Sequence, residues 1–158
     1  AIAGREHGFD AVIARCFAFA GPYLPLDAHY AIGNFVRDAL ARGPIRVGGD
    51  GTPLRSYLYG ADLALWLWTL LARGRAARPY NVGSEDAVSI AELARIVARV
   101  LDTGRGVEIA KAAVPGRAAE RYVPSTRRIR EELGLAPTFT LEEAIVRTAA
   151  AARAEAVW

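Results

Sequence analysis

The hydrophobic pattern divides the chain into alternating strands and helices. From Asp10 the run AVIARCFAFA is almost continuously apolar and stops at Gly21-Pro22. That pattern predicts a strand from Ala11 to Phe19 buried on both faces of a parallel sheet. After the proline-broken loop PYLPLDAHY, helical spacing appears from Ala31 to Arg42, with Ile32, Phe35, Val36 and Leu40 on one side and Gly43-Pro44 as the stop. Ile45 to Val47 and Ser56 to Tyr59 read as two short strands flanking a glycine-rich turn, and Asp62 is placed to cap or charge the first turn of an apolar helix through Leu71. Downstream, Pro79 to Ser84 predicts a strand, Ile90 to Asp102 a helix, Gly106 to Ala112 a strand, and Ser125 to Leu133 a short helix stopped by Gly134. Ser89-Ile-Ala-Glu92 and Thr140-Leu-Glu-Glu143 are capping boxes, in which hydroxyl and carboxylate satisfy each other's free amides at a helix start. The second opens a terminal helix whose alanine-rich end after Thr148 is expected to fray. The opening residues read as the tail of a helix ending near His7-Gly8. Alternation of this kind predicts an α/β class, here as one unit over 1–158.

The turn GGDGTPLR is the most informative stretch. Asp50-Gly51 is a strong hairpin signal, and Gly48, Gly49 and Gly51 tolerate backbone angles that a side chain forbids. Arg55 follows closely, and an arginine held beside a rigid turn can grip a phosphate through two parallel hydrogen bonds. Arg121, in the loop after Pro115-Gly116, is a second candidate. The two are read as converging on one diphosphate with Asn34 adding a polar contact, or alternatively as a surface strand arginine and a helix-flanking charge.

Composition changes the picture in three ways. Slightly over half of the 158 residues are apolar, enough to bury one core or to contribute to a larger one. The net charge of +3 comes from nineteen arginines and one lysine scattered along the chain, with one local group at Arg127-Arg128-Arg130. Scattered arginine favours anionic small ligands over a nucleic-acid groove, and no nucleic-acid partner is expected. The longest apolar cluster, Ala61 to Ala72, is too short to span a bilayer, so no membrane partner is expected. A single cysteine, Cys16, excludes an internal disulfide; set in an apolar strand it reads as an inert core thiol, and a cytoplasmic location is expected. His7 and His29 lack metal-ligand spacing and no nucleophile stands beside a base, so neither a metal site nor a catalytic residue is assigned. No methionine occurs anywhere, so the chain reads as part of a longer protein.

Four segments in order resemble one family. They are Arg15 to Pro22, Gly49 to Tyr59 with Ala61-Asp62-Leu63-Ala64, Tyr80-Asn-Val-Gly83, and Pro115-Gly116 leading to Arg121-Tyr122. The set resembles NAD-dependent nucleotide-sugar epimerases and dehydratases, the extended short-chain dehydrogenases, and is most similar to dTDP-glucose 4,6-dehydratases. The resemblance implies the C-terminal part of a Rossmann-type fold, comprising the last core strands and a small α/β substrate-binding lobe. It implies that Arg55 and Arg121 hold the diphosphate of a nucleotide sugar, that Asn34 helps, and that the base lies against Ile45 to Gly48, chiefly Val47 and Gly48. Arg15 to Pro22 lies near nicotinamide and sugar, with Phe19, Gly21 and Pro22 as cofactor contacts. Ala18 stands where the family often has asparagine, Ser56 where it commonly has aspartate, and Gly48 where an aromatic can stack on the base. The glycine-rich dinucleotide fingerprint and the Tyr-x-x-x-Lys pair are absent from the 158 residues. The resemblance thus implies NAD as cofactor and a homodimer for the intact enzyme, with this portion inactive alone. The alternative reading is a non-catalytic nucleotide-sugar-binding module.

Overall fold

The computed structural model describes residues 6–8 and 10–155. Its elements are β1 (Ile13–Cys16), β2 (Phe19–Ala20), α1 (Ala31–Leu40), β3 (Ile45–Val47), β4 (Leu54–Arg55), β5 (Leu58–Tyr59), α2 (Gly60–Arg73) and β6 (Pro79–Val82). They continue with β7 (Val88–Ser89), α3 (Ile90–Val100), β8 (Val107–Ile109), β9 (Arg121–Tyr122), α4 (Arg127–Leu133) and α5 (Leu141–Glu155). The α/β class expected from the alternation is the one observed. Of the expected opening helix tail, Glu6 and His7 are helical and Gly8 turns; the rest lies outside the described residues.

Pairing is mostly parallel. β1 runs beside β6, β2 beside β5, and β3 beside β8, while β4 lies between antiparallel β7 and parallel β9. Three strand expectations are corrected. The run from Ala11 to Phe19 is not one strand: it breaks at Phe17-Ala18, and its two pieces pair with different partners. Nor is the first piece buried, because every residue of β1 is exposed and β6 is its only strand neighbour among the described residues. Cys16 is therefore exposed, not a core thiol, and the partial burial it retains pushes its pKa up. The strands around the glycine turn do not form a hairpin either, since β3 pairs with β8.

Helix ends follow local chemistry closely. Ser89 Oγ accepts the Glu92 amide at 3.1 Å at the start of α3. At α5 both halves of the box are made: the Thr140 amide donates to Glu143 at 2.8 Å and the Glu143 amide to Thr140 Oγ1 at 3.2 Å. Gly134, at φ +71, closes α4 in the left-handed conformation expected of a glycine cap. The alanine-rich end of α5 does not fray before Glu155; Ala149 and Thr148 are buried in the core. Asp62 stands in the first turn of α2, as one of its two expected roles required, but it does not cap the helix. It is buried, and its carboxylate accepts from the Thr138 amide, the Thr138 hydroxyl and the Phe139 amide, tying α2 to the segment that leads into α5.

Two apolar clusters result. In the first, Ile32, Phe35 and Val36 of α1 meet Leu93 and Val97 of α3 and Ile145 of α5, over Ile45 and Val47 of β3. In the second, Trp66 and Leu70 of α2 and Ile129 and Leu133 of α4 pack on Tyr80 and Val82 of β6. Glu132 clips α4 to β6 by accepting from Arg78 Nε at 3.0 Å, from Arg78 Nη2, and from Tyr80 Oη at 2.8 Å. Chiefly through the Arg78 hydrogen bond, its carboxyl lies below the ordinary carboxylate range. Among the described residues no helix is long and apolar enough to cross a membrane.

Candidate functional site

The glycine turn is docked on the start of α3. Asp50 accepts from the Thr52 amide at 3.0 Å and the Thr52 hydroxyl at 2.8 Å, which folds the turn locally and lowers the Asp50 pKa, the amide bond contributing most. Gly51 adopts φ +75, and a Cβ on it would stand 2.6 Å from the Cβ of Ala91. Only glycine fits that approach. Here the Ala91 amide donates to Gly51 O at 2.9 Å and the Ile90 amide to Pro53 O at 3.0 Å. The Asp50-Gly51 dipeptide thus serves a close backbone approach to a helix, not a hairpin.

The turn delivers Arg55 onto β4. Its guanidinium donates from Nη1 to Leu54 O at 2.9 Å and from Nη2 to Glu120 at 2.8 Å. It also lies over the Tyr122 ring, 5.9 Å from the centroid, and Tyr122 in turn packs on Phe17 at 4.8 Å. The register explains this wall, because Arg55 pairs with Tyr122 in the β4/β9 ladder and paired residues of parallel strands share a face.

The wall borders a cavity of about 620 Å³, whose lining includes Phe17, Phe19, Tyr30, Arg55, Tyr57 and Tyr122. A second cavity of about 310 Å³, lined by Asn34, Arg46, Val47, Gly48 and Asp50 among others, adjoins it through shared His29, Ala31 and Ile90. The two make one groove across the start of α1. Burial pushes the Tyr57 phenol up to about 12, so it stays protonated at neutral pH and can donate a hydrogen bond. Gly48 is open: a Cβ there would meet nothing within 4 Å. The larger cavity is mainly apolar and aromatic with a few hydroxyls and one guanidinium, the combination that suits a small polar ligand with an anionic segment.

The expected residues are partly united. Arg55 and Phe19 line the larger cavity, and Asn34, Val47 and Gly48 the smaller one. Asn34 Oδ1 also accepts from Arg37 at 3.3 Å. Arg121 lines neither; it pairs with Leu54 in the β4/β9 ladder, next to the Arg55–Tyr122 pair. Gly21 lines a separate cavity of about 240 Å³ with Tyr23 and Thr148, and Pro22 is exposed outside the groove. Tyr57, Tyr122, His29 and Glu120 were not expected there. Tyr122 stands beside Arg121 in the motif, and a two-residue strand offers no periodicity that could have selected it. Among the described residues no cluster of His, Cys, Asp and Glu could hold a metal ion.

Comparison with known proteins identifies the lineage. A family model described as the NAD dependent epimerase/dehydratase family matches residues 1–83, just over half of the chain. A UDP-glucuronic acid decarboxylase 1 of Arabidopsis thaliana is 30% identical over 145 residues, covering 90% of this chain and 32% of that protein. A dTDP-glucose 4,6-dehydratase of Xanthomonas campestris is 30% identical over 155 residues, covering 91% of this chain and 43% of that protein. The solved dTDP-glucose 4,6-dehydratase of Streptomyces venezuelae, which has NAD bound, superposes with a TM-score of 0.80 at 28% identity, over 99% of this chain and 48% of that one. The chain therefore spans a third to a half of the proteins it matches, and its strands and helices follow their Rossmann-like fold. With half of its length matched by the family and nearly all of it by individual relatives, the chain belongs to the NAD dependent epimerase/dehydratase family.

Proposed function

We propose that the groove binds a nucleotide sugar, and that the chain is the substrate-binding portion of an NAD-dependent nucleotide-sugar epimerase or 4,6-dehydratase. The observation that carries this reading is the meeting of two cavities beside Arg55: one open and glycine-edged, the other apolar and aromatic. The smaller takes the base, against Val47 and Gly48 with Asn34 at its edge. Arg55 holds the diphosphate, because a guanidinium fork matches phosphate oxygens. The larger cavity takes the sugar, with the protonated Tyr57 phenol as a hydroxyl donor.

NAD, when bound, supplies reversible hydride acceptance. Phe19 on the groove wall is the one expected cofactor contact that the groove supports, and the 158 residues carry no glycine-rich fingerprint, so these residues do not fit the whole cofactor. What the chain's own residues do is bind and orient. Isothermal titration of the 158-residue chain with dTDP and UDP tests the reading. Binding is expected, and Arg55→Ala is expected to weaken it by roughly ten- to a hundredfold, the usual worth of a charged hydrogen bond. If neither nucleotide binds at millimolar concentration, or Arg55→Ala binds as well as the parent, the reading fails.

A further inference from the structure

We infer that Glu120 is an internal competitor for the anion at Arg55, so that a ligand's phosphate must displace a carboxylate the chain itself supplies. The inference rests on the nucleotide-sugar reading of the groove. Three observations carry it beyond that reading.

The first is occupancy. Nη2 of Arg55 donates to the Glu120 carboxylate at 2.8 Å and Nη1 to Leu54 O at 2.9 Å, so one donor on each outer nitrogen is engaged and the guanidinium charge is already paired with an anion. The second is asymmetry of exposure. The Arg55 side chain is 24% exposed, whereas that of Glu120 is 70% exposed. The arginine is fixed on its strand against the Tyr122 ring, and the glutamate can swing into water with little rearrangement. The third is where Glu120 sits. It ends a wholly exposed segment, 111–120, tied to the floor of the site at both ends: the Lys111 amide donates to Gly49 O at 3.2 Å and Glu120 O accepts the Leu54 amide at 2.7 Å. Those anchors fix the Glu120 backbone beside Arg55 and leave its side chain to meet either the guanidinium or water.

Such an arrangement keeps a half-buried cation neutralised when the groove is empty, and it selects for ligands that bring a stronger acceptor than a carboxylate. A diphosphate qualifies, offering several charged oxygens to one guanidinium. A ligand offering only a single carboxylate gains nothing from the exchange. Glu120 is thus a specificity-determining residue that discriminates phosphate from carboxylate at one arginine.

Titration of dTDP, UDP and acetate into four forms of the 158-residue chain tests this: the parent, Glu120→Gln, Arg55→Gln, and the double variant. The expected result is that Glu120→Gln binds both nucleotides about two- to fivefold more tightly than the parent, in line with the modest worth of a partly exposed ion pair. It should also take up acetate, which the parent does not. In the Arg55→Gln background, Glu120→Gln should produce no gain, since the two residues act through one contact. If the parent binds nucleotide and Glu120→Gln binds it equally, the competitor role is overturned while the nucleotide-sugar reading stands. If the gain persists without Arg55, Glu120 acts by general charge repulsion and the inference is likewise overturned. If no form binds nucleotide, the reading beneath it falls as well.

Discussion

The layer of α1, α3 and α5 and the layer of β1, β6, α2 and α4 draw on similar apolar side chains, yet only the first is enclosed by its own chain. Three helices close over β3 there, and Ile32, Val36, Leu93, Val97 and Ile145 are wholly buried. In the second, β1 is exposed along its length, and α2 carries Leu65, Trp68 and Leu71 on an exposed outer face. Among the described residues the buried Trp66 there also finds no hydrogen-bond partner for its indole N–H. The difference separates two uses of apolar sequence. Where helix periodicity and strand alternation point inward to each other, the chain completes its own core. Where a run is apolar all round, it marks surface suited to cover, whether or not the chain supplies it.

The largest expected effect sharpens that contrast directly. Leu93→Ala removes a wholly buried side chain from the enclosed layer, and Leu70→Ala does so in the half-covered one, at 0% and 2% exposure. Truncations of this kind cost about 2–5 kcal/mol, more where the surroundings cannot collapse into the space. Leu93→Ala should fall in the upper part of that range and Leu70→Ala in the lower part, as read from urea denaturation. Equal losses would mean that exposure of β1 and α2 leaves the packing beneath them as rigid as in the enclosed layer.

A smaller effect depends on pH. Glu132 joins α4 to β6 through Arg78 and Tyr80, and its folded pKa is depressed. A depressed carboxylate contributes stability that is fully present above its unfolded pKa, about 4.3, and is lost as pH falls through the folded value. Glu132→Gln keeps an acceptor but no charge to titrate. The gap in urea midpoint between parent and variant should therefore be widest at neutral pH and close on acidification to about pH 3. A gap independent of pH would place the stabilisation in packing and not in the ionised carboxylate.

How much was legible follows from how local each cause is. The boxes at Ser89 and Thr140 lie within four residues, and both were readable and are made, the Ser89 box through its hydroxyl half. The face of α1 was readable because Ile32, Phe35 and Val36 recur at helical spacing. Asp50-Gly51 misled because Gly51 answers to Ala91, forty residues on, which no local pattern encodes. Asp62 was legible as a first-turn acid of α2 but not as a buried tie, since its partners are Thr138 and Phe139. Arg55 could be singled out from its turn, but Glu120 and Tyr122 reach it through β9, a two-residue strand too short to show any alternation. The exposure of Cys16 was illegible for a different reason. An apolar run reports what the strand would bury, and β1 has one strand neighbour here.

The smallest effect concerns the join between the enclosed layer and the groove. Ser89 Oγ satisfies the Glu92 amide, while the Ile90 and Ala91 amides are taken by Pro53 O and Gly51 O of the glycine turn. The start of α3 is thus capped once by its own serine and twice by the site. Ser89→Ala removes only the first, so it should cost about 1 kcal/mol, the usual worth of a serine cap. The groove should keep its geometry because the two backbone bonds from the turn remain. Urea denaturation should therefore show a small loss of stability while nucleotide titration shows none in affinity. A matching loss in affinity would mean that the serine cap, and not the backbone contacts of Gly51 and Pro53, fixes the turn on the helix, and the enclosed layer would then reach directly into the site.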